Sequence, residues 1–299
     1  MEQVALTLGP LFFHWQASKI RDFYFHIADE AAVDRVHVGE VVCGKRMPFS
    51  DQVWPEIIER LERAGKEVVL STLAAPATVR ERKTIAELCS DGRLVEINDV
   101  TALPSRSSRA FVTGPFFNVY NEGTARFLQR HGATTICPPV ELSLDLVAIL
   151  AGACTEIEFE LFAFGRLPLA LSGRCYHARL HGLHKDGCQF TCEQDPDGLA
   201  VDTLDDQPFL AINGVQTLSA GVHAALFEPA MLIARDIRRL RLSPHDCDMA
   251  EVISIYRAVL DGREDADGAR QRLACIGLPG QLVDGYVHGV AGAQLAMPA

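Results

Sequence analysis

Three cysteines and three histidines crowd one short stretch of this chain, RCYHARLHGLHKDGCQFTC at 174–192, which holds Cys175, Cys188 and Cys192 with His177, His181 and His184. Thiolates at this density are soft-metal chemistry. Four of them fill the four iron corners of a [4Fe–4S] cluster, and structural zinc accepts four thiolates or a mixture with imidazole. Spacing does not choose between the two. Cys188 and Cys192 form C-x3-C, less typical of a zinc ribbon than C-x2-C, and no further cysteine follows to complete a C-x3-C-x2-C run. His177 could take a thiolate's place in a zinc site; otherwise the three histidines read as solvated loop residues.

Composition narrows the setting. The chain has 299 residues and nine cysteines, and its 28 Lys+Arg against 39 Asp+Glu give a net charge of −11. That balance argues against tight nucleic-acid binding, which needs clustered cations. The one short basic run, RDIRRLR at 235–241, reads as solvated framework around a strand. MEQVALTLGPLFFHW lacks the basic start and small-residue cleavage pattern of a signal peptide, and no apolar run is long enough to span a bilayer. A cytoplasmic protein is expected. In that reducing setting clustered cysteines are better read as ligands than as disulfides.

Short apolar runs alternate with helical patterns and must position these ligands. ALTLGP (5–10), RVHVGE (35–40), EVVLST (67–72), LVEIND (94–99), AFVTGP (110–115), TTICPP (134–139), EIEFELFAFG (156–165) and IRRLRLSP (237–244) are eight candidate strands. Between them, Ile20, Phe23, Tyr24, Ile27 and Ala28 share one helix face behind a possible Ser18 cap. Pro55 fits only a first turn, and Gly65 stops that helix. Thr78 and Glu81 form a T-x-x-E capping box. LDLVAILAGAC (144–154) is one buried helix. FLAINGVQTLSA (209–220) reads as an extra hairpin turning at Asn213-Gly214.

Alternation of this kind predicts a parallel sheet. Eight units within the span of a ~250-residue fold suggest a closed (β/α)8 TIM-like barrel. We read one domain over 1–299, with an insert at 171–220 after strand seven. A doubly wound open sheet is the alternative, weakened by the absence of G-x-G-x-x-G after the first strand.

In such a barrel the carboxyl ends of the strands gather the chemistry. Those ends supply Glu40, Asn118 and Glu141 as candidates to orient a substrate. Strand two also releases Cys43, in VGEVVCGKR, on the face that strand seven delivers Cys175 to. Folding of the strand-seven loop over the barrel mouth would bring Cys43 to the other three. Cys89 and Cys154 lie on apolar helix stripes and read as core thiols. Cys137 reads as packing, and Cys247 and Cys275 have no companion.

GEVVCGKR (39–46), VLSTLA (69–74), NVYN (118–121), PPVELS (138–143), GRLPLALSGRCYHAR (165–179), the C-x3-C pair, LAINGVQTLS (210–219) and RLSP (241–244) together resemble the non-peptidase, iron–sulfur branch of the collagenase-like peptidase family, the UbiV group. The resemblance implies a [4Fe–4S] cluster on Cys43, Cys175, Cys188 and Cys192. It also implies a heterodimer with a UbiU-like paralogue that holds its own cluster. The pair would serve oxygen-independent hydroxylation of a ubiquinone precursor, with a UbiT-like lipid-carrier protein alongside and prephenate as oxygen donor. The tail from about Asp246 departs from the pattern, so nothing is carried over there. Two other functions are set against this one. One is a zinc-stabilised scaffold for a partner; the other is a peptidase-like hydrolase, for which no G-x-S-x-G or H-E-x-x-H is present.

Overall fold

Eight of the apolar runs form parallel strands that close on themselves. The structure is a computed structural model and describes residues 3–106 and 109–296, so Met1 and Glu2 of the leader reading lie outside it. The barrel strands are β1 (Ala5–Leu8), β2 (Arg35–Val38), β3 (Glu67–Ser71), β4 (Leu94–Ile97), β5 (Phe111–Thr113), β6 (Ala133–Ile136) and β7 (Glu158–Gly165), each parallel to the one before. Four strands then leave to form a separate antiparallel sheet: β8 (Pro168–Leu171), β9 (Leu199–Asp202), β10 (Pro208–Asn213) and β11 (Gln216–Ser219), in the order β8-β11-β10-β9. After β12 (Val222–Ala224), which runs antiparallel to the end of β7, the chain returns through β13 (Ile237–Leu242). β13 pairs in parallel with both β1, from Ala5↔Arg239 to Leu8↔Leu242, and β7, with Leu240 opposite Leu161. The result is a closed (β/α)8 barrel. A last short strand, β14 (Leu282–Val283), extends the β12 edge.

Helices cover the outside. They are α1 (Ala17–Glu30), α2 (Met47–Ser50), α3 (Trp54–Arg63), α4 (Val79–Cys89), α5 (Glu122–Arg130) and α6 (Leu144–Ala153) between barrel strands, α7 (Tyr176–Leu180) in the insert, α8 (Pro229–Ile233) before β13, and α9 (Met249–Leu260) and α10 (Ala266–Ala274) after it. The α1 stripe buries Ile20, Tyr24, Ile27 and Ala28, as its spacing predicts. Ser18 does not cap it. The helix starts one residue before Ser18, because the Ile20 amide already donates to the Gln16 carbonyl at 3.0 Å. The Thr78–Glu81 capping box forms, with Thr78 Oγ1 accepting from the Glu81 amide at 3.1 Å and the Glu81 carboxylate accepting from the Thr78 amide at 2.8 Å. The β4–β5 connection contains a 3-10 helix, Val100–Arg106, rather than a bare link. α10 orders part of the tail, capped by Asp265.

Strand parity puts apolar residues outward and polar ones inward. Leu6, Leu8, Val36, Val38, Val95, Ile97, Phe159, Leu240 and Leu242 are buried against the helices. Burial of each such side chain stabilises by ~1.5–3 kcal/mol. Several of the inward residues are charged, with Thr7, Val69 and Val112 in register beside them. Arg241 on β13 donates from Nη1 to Glu96 Oε1 on β4 at 2.5 Å and from Nε to Glu160 Oε2 on β7 at 2.6 Å. β13 and β4 are not neighbours in the sheet, so these groups meet only across the lumen. His37 on β2 sets Nδ1 3.3 Å from Glu96. One layer below, Arg239 pairs with Glu158 at 3.0 Å and Arg35 with Glu67 at 2.7 Å. The run RDIRRLR is therefore not solvated framework: Arg241 and Arg239 point into the barrel, 1% and 8% exposed, because the two-residue strand period sends alternate arginines inward.

Candidate functional site

β2 ends at Val38, and Gly39 turns the chain at φ 117°, where a Cβ would approach the Ser71 carbonyl to 3.0 Å. Glu40 then folds its carboxylate back to accept from the Val42 and Cys43 amides at 2.8 and 2.9 Å. This makes Glu40 the clasp of the Cys43 turn. Cys43 stays half-buried. Three residues on, Arg46 is 2% exposed and donates to the Phe12 carbonyl at 2.9 Å and to Asn213 Oδ1 at 2.8 Å, with Glu40 at 4.0 Å.

The insert supplies the remaining thiols. Cys175 caps α7, its Sγ accepting from the Ala178 amide at 3.4 Å. Cys188 ends a 3-10 turn at Lys185–Gly187, and Cys192 lies in another at Thr191–Gln194. Gln189 and Phe190 between them have positive φ, 49° and 53°. Cys43, Cys175 and Cys188 join one apolar cluster with Phe12, Val42, Val140, Phe162 and Leu167 over the carboxyl end of the barrel. Lys45 ties the two blocks together by donating to the carbonyls of Lys185 at 2.6 Å and Asp186 at 2.9 Å. Cys192 is buried and lies within electrostatic reach of Cys175 and Arg46.

Burial pushes the Cys43 and Cys192 thiols up, and the Arg46 charge opposes that rise at both. In chemical type these residues suit a soft-metal group: four cysteines, apolar walls, and a buried cation that would offset thiolate charge. Among the described residues, no group of three or more His, Cys, Asp or Glu side chains is positioned to hold a metal ion. The thiols share a neighbourhood without meeting at a point.

The histidines divide. His177 is buried rather than solvated, with Nε2 2.8 Å from Asp195 Oδ2, because the first turn of α7 packs beneath the β10–β11 hairpin. His181 and His184 are exposed. That hairpin forms, but Asn213 pairs with Gln216, so its two-residue turn is Gly214-Val215, with Gly214 at φ 64°. Of the other substrate candidates, Asn118 is exposed at φ 56° and Glu141 is exposed, accepting from the Tyr120 hydroxyl. Cys89, Cys137 and Cys154 are buried; Cys247 Sγ lies 3.7 Å from Met249 Sδ, and Cys275 is exposed.

Arg46, Asn213 and the lumen layer escaped the sequence reading. Arg46 was in plain view, three residues after Cys43. The lumen residues could have been found from the parity of charged positions within β2, β4, β7 and β13. His37 Nε2, Glu160 Oε1 and Arg241 Nη2 are buried there without hydrogen-bond partners among the described residues.

Among solved structures, the chain is similar to an uncharacterized B. cereus protein at 12% identity and TM-score 0.39, covering 81% of this chain and 61% of that one. It is also similar to an enolase, a putative galactarate dehydratase of Agrobacterium radiobacter bound to Na and L-malate, at 13% identity and TM-score 0.35 over 74% and 64% of the two chains. A D-psicose 3-epimerase of Clostridium cellulolyticum H10 with D-tagatose matches at 10% identity and TM-score 0.30 over 89% and 96%. The chain thus spans less than two thirds of the first two. Likenesses this remote say nothing of chemistry. The family is established separately: the sequence profile of peptidase family U32 matches residues 23–275, most of the chain, and the protein belongs to that family, the collagenase-like one.

Proposed function

We propose that Cys43, Cys175, Cys188 and Cys192 hold a [4Fe–4S] cluster, and that the protein is the iron–sulfur subunit of an oxygen-independent hydroxylase in anaerobic ubiquinone biosynthesis. Its partner would be a UbiU-like paralogue, with a UbiT-like lipid carrier and prephenate as oxygen donor, as in the UbiV group. The observation that supports this reading is the tie between two remote cysteine blocks. Lys45 bonds the Cys188 turn, and Arg46 faces thiols of both blocks. When bound, the cluster supplies one-electron transfer. The chain's own residues do the rest. Glu40 fixes the Cys43 turn through two amides, Arg46 places a positive charge beside the sulfurs, and the apolar cluster keeps water from them.

Closing four sulfurs on a cluster requires movement of the 185–194 turns, which are short 3-10 segments with little regular structure to break. The test is oxygen-free purification of the full chain with its paralogue, followed by iron, acid-labile sulfide and zinc counting with the share of the paralogue's own cluster, measured on the paralogue alone, subtracted. Alanine at each of the four cysteines should reduce iron and sulfide to background, while Cys247→Ala and Cys275→Ala keep them. Stoichiometric zinc without sulfide would favour the scaffold reading, and iron retained in Cys175→Ala would refute the ligand set. Failure of ubiquinone synthesis without oxygen in a Cys175→Ala strain, with normal synthesis in air, is the expected cellular result.

A further inference from the structure

Beside the thiol cluster lies a cavity of about 490 Å³ that the cysteine chemistry does not use. It opens between the four-stranded sheet and the segment around 279–293, just beyond the carboxyl end of β7. Its volume falls within the range of small-molecule sites, ~300–1,000 Å³. Leu169, Phe209, Leu210, Val283 and Tyr286 give it apolar walls. Leu169 and Phe209 are 41% and 58% exposed, large apolar side chains with no cover of their own.

Asp202, Ser219, Gln281 and Arg166 break this apolar character, and of the two charged ones Asp202 is exposed while Arg166 is buried. Arg166 is 3% exposed, and its guanidinium donates to three backbone carbonyls: from Nη1 to Ser219 at 2.7 Å and Ala220 at 2.5 Å, and from Nη2 to Pro279 at 2.9 Å. Its Nε–H has no acceptor among the described residues. It makes no ion pair among the described residues. Asp197, the carboxylate whose field reaches it, is already engaged by His245 Nδ1 at 2.7 Å and the Asp246 amide at 2.9 Å. Carbonyl dipoles hold the cation in place without neutralising it. A buried cation is normally paired, and among the described residues no carboxylate lies in ion-pair contact with this one.

We propose that this cavity binds an apolar carboxylic acid, its hydrocarbon part between Leu169, Phe209 and Tyr286 and its carboxylate drawn to Arg166. Charge decides the head group, because Arg166 offers donors and no acceptor. The walls decide the rest. The site is built from residues outside the cysteine set, so it stands or falls independently of a cluster. Leu167 and Tyr286 nevertheless belong both to its lining and to the apolar cluster around Cys43, Cys175 and Cys188, so an occupant would share a wall with them.

The experiment is calorimetric titration of the full chain with monomeric dodecanoate and, in parallel, dodecanol. Saturable one-site binding of the acid is expected, with the alcohol weaker by at least about tenfold, the value of one charge-assisted hydrogen bond. Ala200→Trp places an indole at the exposed mouth without touching the core and should abolish binding of both. Arg166→Lys should reduce the acid-over-alcohol preference. Should that variant not fold, the Ala200 variant and the acid–alcohol comparison carry the test. Equal affinity for acid and alcohol, acid binding that survives Ala200→Trp, or no saturable binding at all would each overturn the proposal.

Discussion

Arg241→Met removes the guanidinium that bridges two buried carboxylates while keeping much of the side chain's volume. Arg241 is 1% exposed and bonds Glu96 and Glu160 at 2.5 and 2.6 Å, and its loss leaves both carboxylates without that cation. Charge-assisted hydrogen bonds contribute ~1.5–3 kcal/mol each, and stripping one partner from a buried ion pair costs ~3–5 kcal/mol. The expected loss at neutral pH is thus ~3–5 kcal/mol, against a total stability of ~5–15 kcal/mol. The pH dependence follows from the carboxylates. In the native protein burial pushes Glu96 and Glu160 up, but the Arg241 and His37 charges outweigh it, and both sit below the ordinary carboxylate range. Depressed acids contribute stability above their unfolded pKa, and that stability is lost as pH falls from ~4 through the folded values. Without Arg241, burial prevails and the carboxyls rise. A raised acid destabilises above the unfolded value, so the variant's deficit is largest at neutral pH and shrinks as pH approaches ~4–5. Urea unfolding followed by far-ultraviolet circular dichroism at the two pH values measures this. A deficit under ~1 kcal/mol, or one that grows on acidification, would refute the view of the lumen as a sealed ion layer.

Three further outcomes are expected. Arg46→Met should lower the reduction potential of a bound cluster in potentiometric titration, since losing a nearby positive charge favours the oxidised form, and should lower the urea midpoint through its lost bonds to Phe12 and Asn213. Gly214→Ala should cost at least ~1–2 kcal/mol in chemical denaturation, for its left-handed backbone. Its new Cβ would also stand 2.7 Å from Arg46 Nη2, so the potential of a bound centre should shift as well. Thr78→Ala breaks the α4 capping box and should reduce stability by ~0.5–2 kcal/mol by the same assay, leaving iron content unchanged.

The barrel was legible because its signals are local. Eight apolar runs, the Thr78–Glu81 box and the Gly65 stop are each contained within a few residues, and the chain obeys them. The lumen was not legible. His37, Glu96, Glu160 and Arg241 each look like the wet face of an amphipathic strand, and only closure of the sheet turns that face inward. His177 was missed for a similar reason: its burial depends on a hairpin more than thirty residues downstream. The turn of that hairpin slipped by one position because Asn213 spends its side chain on Arg46, Phe12 and Gln216 and stays in the strand ladder.

β13 completes the sheet by lying between β1 and β7, yet it is synthesised after every residue of the four-stranded sheet. On the ribosome, the thiol-bearing turns and seven of the eight barrel strands therefore emerge before the strand that closes the sheet. Glu96 and Glu160 have been made by then, while Arg241 has not. Joining the first strand to the last is a contact of very long sequence separation, which makes it a late and slow event. The ion layer of the lumen therefore cannot be paired until the last strand of the barrel has been made.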